Sequence, residues 1–165
     1  MPRKNVQLLG DKPLVCWVIE AARAARRIGR LVVSSDDREV LELARRYDPA
    51  LPLARPGELS ADDSPAIDYV HHALATLEAA GEGPFDIVVI LQPSSPFTLP
   101  ADIDAAIALL EASGADTAVS VVQVDHAIHP AKFKVFEGDR LRGYLEEERG
   151  RMAAEHLPAV FVRNC

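Results

Sequence analysis

Cysteine is almost missing: Cys16 and Cys165 are the only two in 165 residues. They cannot build a disulfide framework, so a reducing cytoplasm is the expected compartment. Aromatic residues make up only 5% of the chain, and much of the apolar share is alanine, which favours helix. Long hydrophobic runs are lacking too. The longest uncharged stretch, residues 87–101, is broken by Pro93, Pro96 and Pro100, so no membrane span is expected. The apolar run at residues 14–19 is too short for the core of a signal peptide. No G-x-G-x-x-G occurs, which disfavours a dinucleotide-binding dehydrogenase. What is present, 48% apolar and 26% charged residues, is the composition of a globular chain with one sizeable core.

Positive charge is scarce overall, with 18 Lys+Arg against 25 Asp+Glu and a formal charge of −7. It is concentrated at the start, where residues 1–30 hold seven bases and two acids. A basic start on an acidic protein argues against general nucleic-acid binding and fits local capture of a small anion such as a nucleotide phosphate. Arg23, Arg26, Arg27 and Arg30 have a blander reading, as partners of a helix C-terminus.

Periodicity predicts four helices. Pro13 suits a first helical position, and Leu14, Trp17, Val18, Ala21, Ala25 and Ile28 recur at helical spacing up to a stop at Gly29. Asp36 and Glu39 have capping-box spacing ahead of a helix reaching Tyr47. Ser64-Pro65 opens a third helix with the stripe Ile67, Val70, Leu74 and Leu77, and a fourth runs from Pro100 to Ser113. Strands are predicted at residues 31–34, 86–91 and 117–124, the second being an unbroken apolar run suited to a parallel strand covered on both faces. Shorter strand-like pieces stand at residues 133–136 and 159–162, flanking a charged segment at 146–151, and residues 48–63 read as a Pro-rich connection without structure of its own.

This alternation predicts an α/β fold with a mostly parallel sheet and helices on both faces. Ligands of such sheets sit outside the carboxyl ends of the strands. Two strand ends here carry polar and conformationally special residues, Ser34-Ser35-Asp36-Asp37 and Gln92-Pro93-Ser94-Ser95-Pro96. A glutamine ending an apolar run puts polar groups where a core would avoid them. The histidines offer no metal centre: His71 and His72 point about 100° apart on a helix, and Asp125, His126 and His129 lack a further ligand at metal spacing.

Several motifs, in order, resemble the N-acylneuraminate cytidylyltransferases, or CMP-sialic acid synthetases. They are Pro2-Arg3-Lys4-Asn5 with Leu9-Gly10-Asp11-Lys12-Pro13-Leu14, Val33-Ser34-Ser35-Asp36-Asp37, and Arg55-Pro56-Gly57-Glu58-Leu59. Then follow Leu91-Gln92-Pro93-Ser94-Ser95-Pro96, Asp102-Ile103-Asp104, His129-Pro130 with Lys132, and Leu157-Pro158 leading to Arg163-Asn164. Each piece is weak and the ordered set is specific, although it does not separate sialic from pseudaminic or legionaminic acid enzymes.

The resemblance implies a Rossmann-like nucleotidyltransferase fold, a glycosyltransferase-A-like three-layer sandwich whose mostly parallel sheet lacks its usual first strand. It implies cytidylyl transfer from CTP to a nine-carbon 2-keto acid sugar, with Mg²⁺ as cofactor and a homodimer as the working form. Lys4, Asn5, Arg55 and Ser64 are then expected at the nucleotide. Gln92, Pro93, Ser94, Ser95, Lys132 and Asn164 are expected at the sugar, with Lys132 on its carboxylate. Residues 1–124 would form the nucleotidyltransferase core and 125–165 a dimerisation arm.

Departures from the pattern set further expectations. The family's buried first strand and Arg-x-Gly-Ser-Lys-Gly loop would precede Pro2, Cys165 stands where the family has the Gly of Asn-Gly-Ala, and the metal-binding aspartates lie beyond it. Thr98 replaces an arginine, and Ala154-Glu155 replaces Arg-Gln, with Arg151 a candidate substitute. A family fragment is therefore expected, with no catalytic or metal-ligating residue assigned. The alternative is an inactive nucleotide-binding or dimerising remnant.

Overall fold

A computed structural model describes residues 3–61, 64–145 and 157–164. Two compact units, Met1–Ala118 and Val119–Cys165, divide the chain. Expectations placed on Pro2, the segment 146–151, Ala154, Glu155 and Cys165 lie outside the described residues.

The first unit begins with a 3-10 turn, Lys4–Val6, and a small antiparallel hairpin of β1 (Leu8–Leu9) and β2 (Lys12–Pro13). Gly10 makes the bend at φ +68°, a backbone that a side chain disfavours. Trp17 ties the hairpin down: its indole N–H donates to the Leu9 carbonyl at 3.0 Å, and Lys12 Nζ lies 4.3 Å from its ring centre. Lys12 also donates to Glu20 at 2.6 Å, and the Tyr47 hydroxyl donates to the other Glu20 oxygen at 2.8 Å. These two donors, the lysine first, hold the Glu20 carboxyl below its usual range.

Helix α1 spans Leu14–Ala24, with Pro13 just ahead of its first residue. It ends short of the predicted Gly29. Past Ala25 the chain turns away because Asp104 takes the next amides: Arg26 N–H donates to both its oxygens at 2.9 and 3.1 Å, and Arg27 N–H donates at 2.9 Å. Strand β3 (Val33–Ser35) then pairs in parallel with β4 (Pro52–Ala54), with α2 (Arg38–Tyr47) between them. The register sets Val33 against Pro52, Ser34 against Leu53 and Ser35 against Ala54. The cap of α2 is Asp37 rather than Asp36. Its carboxylate accepts from Glu39 N–H at 2.8 Å, while the Ser35 hydroxyl accepts from Asp37 N–H at 3.1 Å.

Strand β4 corrects the expected structureless connection. Pairing with β3 and burial of Leu51 override two prolines, and Pro52 stands at a strand's first position, where its missing N–H is tolerated. A second correction concerns residues 86–91. They join no ladder among the described residues, and Val88, Val89 and Ile90 stay 38–49% exposed. Apolar sequence alone does not make a strand, which needs a neighbour's amides and carbonyls. The unit is α/β, and the one parallel pair among its described residues is β3–β4.

Helix α3 (Ala66–Ala79) follows Pro65, and α4 (Pro100–Ser113) begins with its proline and closes on Gly114 at φ +64°. Two apolar clusters hold the unit. Val15, Cys16 and Ile19 of α1 pack with Val40, Ala44 and Leu51; Ala21 and Ala25 pack with Ile103 and Ile107 of α4, with Ile28, Ile87 and Leu91 against them.

The second unit is built from pairs of strands. β5 (Val121–Gln123) runs antiparallel to β8 (Phe161–Arg163), and β6 (Lys134–Glu137) forms a hairpin with β7 (Arg140–Gly143) turned at Gly138. β5 is shorter than the predicted 117–124, and β7 was not foreseen. Two 3-10 turns, His126–Ile128 and Pro130–Lys132, lie between β5 and β6.

Truncation of Ile103, 3% exposed, to alanine is expected to lower unfolding free energy by about 2–5 kcal/mol, read from urea denaturation. Asp104→Asn is expected to lower the urea midpoint at neutral pH and to flatten its pH dependence. The backbone amides of Arg26 and Arg27 hold the Asp104 carboxyl below the usual carboxylate range. That stabilisation is complete above the unfolded carboxyl's range and is lost as pH falls through the depressed folded value. Equal acid sensitivity of the two proteins would contradict the assignment.

Candidate functional site

A cavity of about 830 Å³ lies in the first unit, within the range of small-molecule sites. Apolar lining comes from α1 (Val15, Val18, Ile19, Ala22), from α3 (Val70, Ala73, Leu74, Leu77) and from residues 85–91. Val70, Leu74 and Leu77 of the stripe predicted on α3 thus face this space rather than a closed core, whereas Ile67 is exposed; among the four only Leu77 is buried. Polar lining comes from the first 3-10 turn (Lys4, Asn5), the carboxyl end of β3 (Ser34, Ser35), Arg55, Tyr69, and Gln92 with Ser94, and charged lining also from Arg27, Arg30, Asp86 and Glu111.

Six of the sequence-predicted residues therefore share one cavity: Lys4, Asn5, Arg55, Gln92, Pro93 and Ser94. Arg3, just before the turn, has φ 54° and pairs with Glu39 of α2. A left-handed arginine is a costly backbone, and here it introduces the turn that carries Lys4 and Asn5. Arg55 is held on several sides. Its N–H donates to the Ser35 carbonyl at 2.9 Å, its Nε to the Ser60 hydroxyl at 2.9 Å, and its Nη2 lies 3.5 Å from Asp36 Oδ1. Its guanidinium sits 5.1 Å from the Tyr69 ring centre, in cation–π range.

The loop after residue 91 is a run of tight turns. Ser95 N–H donates to the Gln92 carbonyl at 3.0 Å, the Ser94 hydroxyl to Gln92 Oε1 at 3.3 Å, and the Thr98 hydroxyl to the Ser95 carbonyl at 2.9 Å. Thr98 thus locks the turn. Two buried oxygens at the cavity, Asn5 Oδ1 and Ser34 Oγ, have no hydrogen-bond partner among the described residues. Each such atom costs roughly 1–3 kcal/mol, a cost that a ligand's donors relieve.

Ser64 and Ser95 do not line this space. The Ser64 hydroxyl donates to the Glu58 carbonyl at 3.4 Å, ahead of α3. Lys132 and Asn164 belong to the second unit. Lys132 Nζ is 2.9 Å from His126 Nδ1, and Asn164 N–H donates to the Ser120 carbonyl at 2.9 Å. His129 is buried and structural: its Nδ1 accepts from Ala131 N–H at 3.2 Å, so its Nε2 donates to the Pro158 carbonyl at 3.2 Å.

Two of the early arginines, Arg27 and Arg30, line the cavity but are paired with carboxylates. Arg27 pairs with Glu111 at 2.7 Å, and Arg30 grips Glu82 at 2.6 and 3.2 Å while donating to the Leu31 and Ala50 carbonyls. Arg30 holds the Glu82 carboxyl below its usual range. Arg23 lies 5.8 Å from the Tyr47 ring centre, in the last turn of α1. Sequence reasoning assigned no role to Tyr69 or to Ser34. Tyr69 gives no local signal, because its partner is fourteen positions earlier. Ser34 stood in a strand end already singled out.

Among the described residues no group of three or more His, Cys, Asp or Glu side chains is placed to hold a metal ion. Asp36 faces Arg55, and Asp37 caps α2. The described residues thus do not fit the Mg²⁺ that the resemblance implies. No helix of the described residues is long and apolar enough to cross a membrane.

Comparison with known proteins covers both units. The CMP-N,N'-diacetyllegionaminic acid synthase of Legionella pneumophila is 33% identical over 114 residues, 69% of this chain and 49% of that protein. The N-acylneuraminate cytidylyltransferase of Escherichia coli is 32% identical over 94 residues, 57% of this chain and 21% of that one. A pseudaminic acid cytidylyltransferase of Campylobacter jejuni is 32% identical over 96 residues, 58% and 41% of the two chains. This chain thus spans half or less of the length of these relatives. A solved CMP:2-keto-3-deoxy-manno-octonic acid synthetase, complexed with CTP, superposes with a TM-score of 0.61 at 18% identity, covering 85% of this chain and 55% of that one. At that identity the likeness shows the fold, which is the Rossmann-like nucleotidyltransferase fold. The cytidylyltransferase family profile runs from residue 1 to residue 157, through every motif that lines the cavity, and so the chain belongs to the cytidylyltransferase family.

Proposed function

We propose that this chain performs cytidylyl transfer from CTP to a sialic-type nonulosonic acid, giving a CMP-sugar and pyrophosphate. The observation that carries the reading is the convergence of Lys4, Asn5, Arg55 and Gln92 on one cavity that also holds two unpartnered oxygens. In such a transfer the acceptor's anomeric hydroxyl gives up its proton to solvent as its oxygen bonds to the α-phosphorus. The bond from that phosphorus to the bridging oxygen breaks, and pyrophosphate leaves with the electron pair. Negative charge gathers on phosphate oxygens, so cations fixed in advance favour the transition state.

Lys4 supplies a mobile point charge and Arg55 a planar fork. Arg55 is already ordered by Ser60 and Tyr69, so little rotamer freedom remains to be lost when it grips a phosphate. Asn5 Oδ1 accepts from an amino group on the base, and the Ser34 hydroxyl can donate to or accept from the nucleotide. Ser64, ahead of α3, is assigned to the nucleotide as well. Gln92, with Pro93, Ser94 and Ser95, is assigned to the acceptor sugar. Lys132 is assigned to its carboxylate and Asn164 to its hydroxyls. The reaction is placed in the cytoplasm.

A homodimer is the proposed working form. Val121, Val122, Phe161 and Val162 of the β5–β8 pair are 49–55% exposed, an apolar set that a second copy would cover. The same surface, with the lack of a metal-ligand cluster among the described residues, favours a second reading, a nucleotide-binding or dimerising remnant without turnover.

Purified protein mixed with CTP, Mg²⁺ and N-acetylneuraminate is expected to release pyrophosphate. Arg55→Lys and Lys4→Ala are each expected to weaken CTP binding by about tenfold, the scale of one charge-assisted hydrogen bond. CTP-dependent thermal stabilisation without pyrophosphate release selects the second reading. No stabilisation by CTP would overturn the transfer and nucleotide-binding readings.

A further inference from the structure

Lys132 and His126 face one another within the second unit, Nζ to Nδ1 at 2.9 Å, both half-buried. The protonation states follow from elementary chemistry. An ammonium has three donors and no acceptor, so the imidazole nitrogen opposite it must accept. His126 is therefore the neutral tautomer with its proton on Nε2.

Local structure fixes this meeting. His126 begins the first 3-10 turn, whose amide at Ala127 is capped by Asp125 Oδ1 at 2.7 Å. Lys132 ends the second, whose amide at Ala131 is capped by His129 Nδ1 at 3.2 Å. The backbone bonds Ile128 N–H to the Asp125 carbonyl at 3.0 Å and Lys132 N–H to the His129 carbonyl at 2.8 Å close the two turns. His129 is anchored in turn by the Pro158 carbonyl at 3.2 Å. Two capped turns in series place residues 126 and 132 side by side, six positions apart.

The partner's chemistry is the informative part. Lys12 is aimed by the carboxylate of Glu20, and Arg30 by that of Glu82. Those pairs neutralise the charge they orient. Among the described residues no carboxylate pairs with Lys132. A neutral acceptor orients an ammonium through one hydrogen bond and leaves its full charge to act on something else.

We infer that His126 is the positioning residue of Lys132, aiming the ammonium while leaving its charge available to the carboxylate of an acidic ligand. This rests on the reading of Lys132 as the contact for the acceptor sugar's carboxylate. Losing the bond frees the lysine over its rotamers, so a carboxylate ligand binds more weakly although the cation is still present.

The test uses the full chain. Histidine-ring nitrogen NMR is expected to show His126 as the Nε2–H tautomer, with an Nδ1 resonance that moves in Lys132→Met. An unmoved resonance overturns the pair. N-acetylneuraminate is then titrated calorimetrically. His126→Asn places an amide oxygen near the position of Nδ1 and is expected to bind within about twofold of the parent. His126→Phe keeps a ring without the acceptor and is expected to bind about three- to tenfold more weakly, the worth of one hydrogen bond. Equal binding by His126→Phe overturns the positioning role. If the parent does not bind N-acetylneuraminate while Lys132→Met still moves the Nδ1 resonance, the acceptor assignment of Lys132 falls and the pair stands.

Discussion

Helix α1 is buried on two sides at once, and the first unit is arranged around that burial. Val15, Cys16 and Ile19 pack with α2 and Leu51, while Ala21 and Ala25 pack with α4. Two elements far apart in sequence are thereby referred to one rod. The hairpin ahead of α1 is tied to it through Trp17, which fixes the approach of Lys4 and Asn5. Its far end is stopped by the Asp104 carboxylate, which turns the chain toward β3. The small residues matter as much as the large ones: Ala44 is fully buried and Ala22 is 1% exposed, so a larger side chain at either place would part the layers.

How much of this was legible depended on whether the signal was local. Helices α2 and α4 were read almost to the residue, because Tyr47, Pro100 and Gly114 mark ends within the segments themselves. Strand β4 was missed because its cause is not local. Nothing in Pro52-Leu53-Ala54 says strand until β3 lies beside it. Residues 86–91 show the converse. Their composition is the best strand signal in the chain, yet no ladder forms among the described residues, since a hydrogen-bonded neighbour is not something composition can supply.

Site residues divided the same way. Lys4, Asn5, Arg55 and Gln92 came from ordered motifs and do share a cavity. The Arg55–Tyr69 stack and the His126–Lys132 pair could not be read beforehand, because each depends on two side chains meeting in space. The early arginines, open to two readings from sequence, illustrate a related point. A cluster of like charge suggests an anion site only if its charges stay available, and Arg27 and Arg30 turn out to be matched to Glu111 and Glu82.

That contrast bears on how a chain of net charge −7 would hold the polyanionic ligand proposed for it. Long-range attraction is unfavourable and is screened within about 8–10 Å at physiological salt, so recognition has to rest on cations at short range. Counting bases therefore says little. What matters is how each base is oriented. Arg27 and Arg30 are oriented by carboxylates, which spend the charge inside the fold. The Arg55 guanidinium is oriented by a hydroxyl and an aromatic face, with the Asp36 carboxylate in ion-pair range at 3.5 Å. Lys132 is oriented by an imidazole. Neutral partners fix geometry without cancelling charge, and on the proposed reading it is the cations they help to hold that meet a phosphate or a carboxylate.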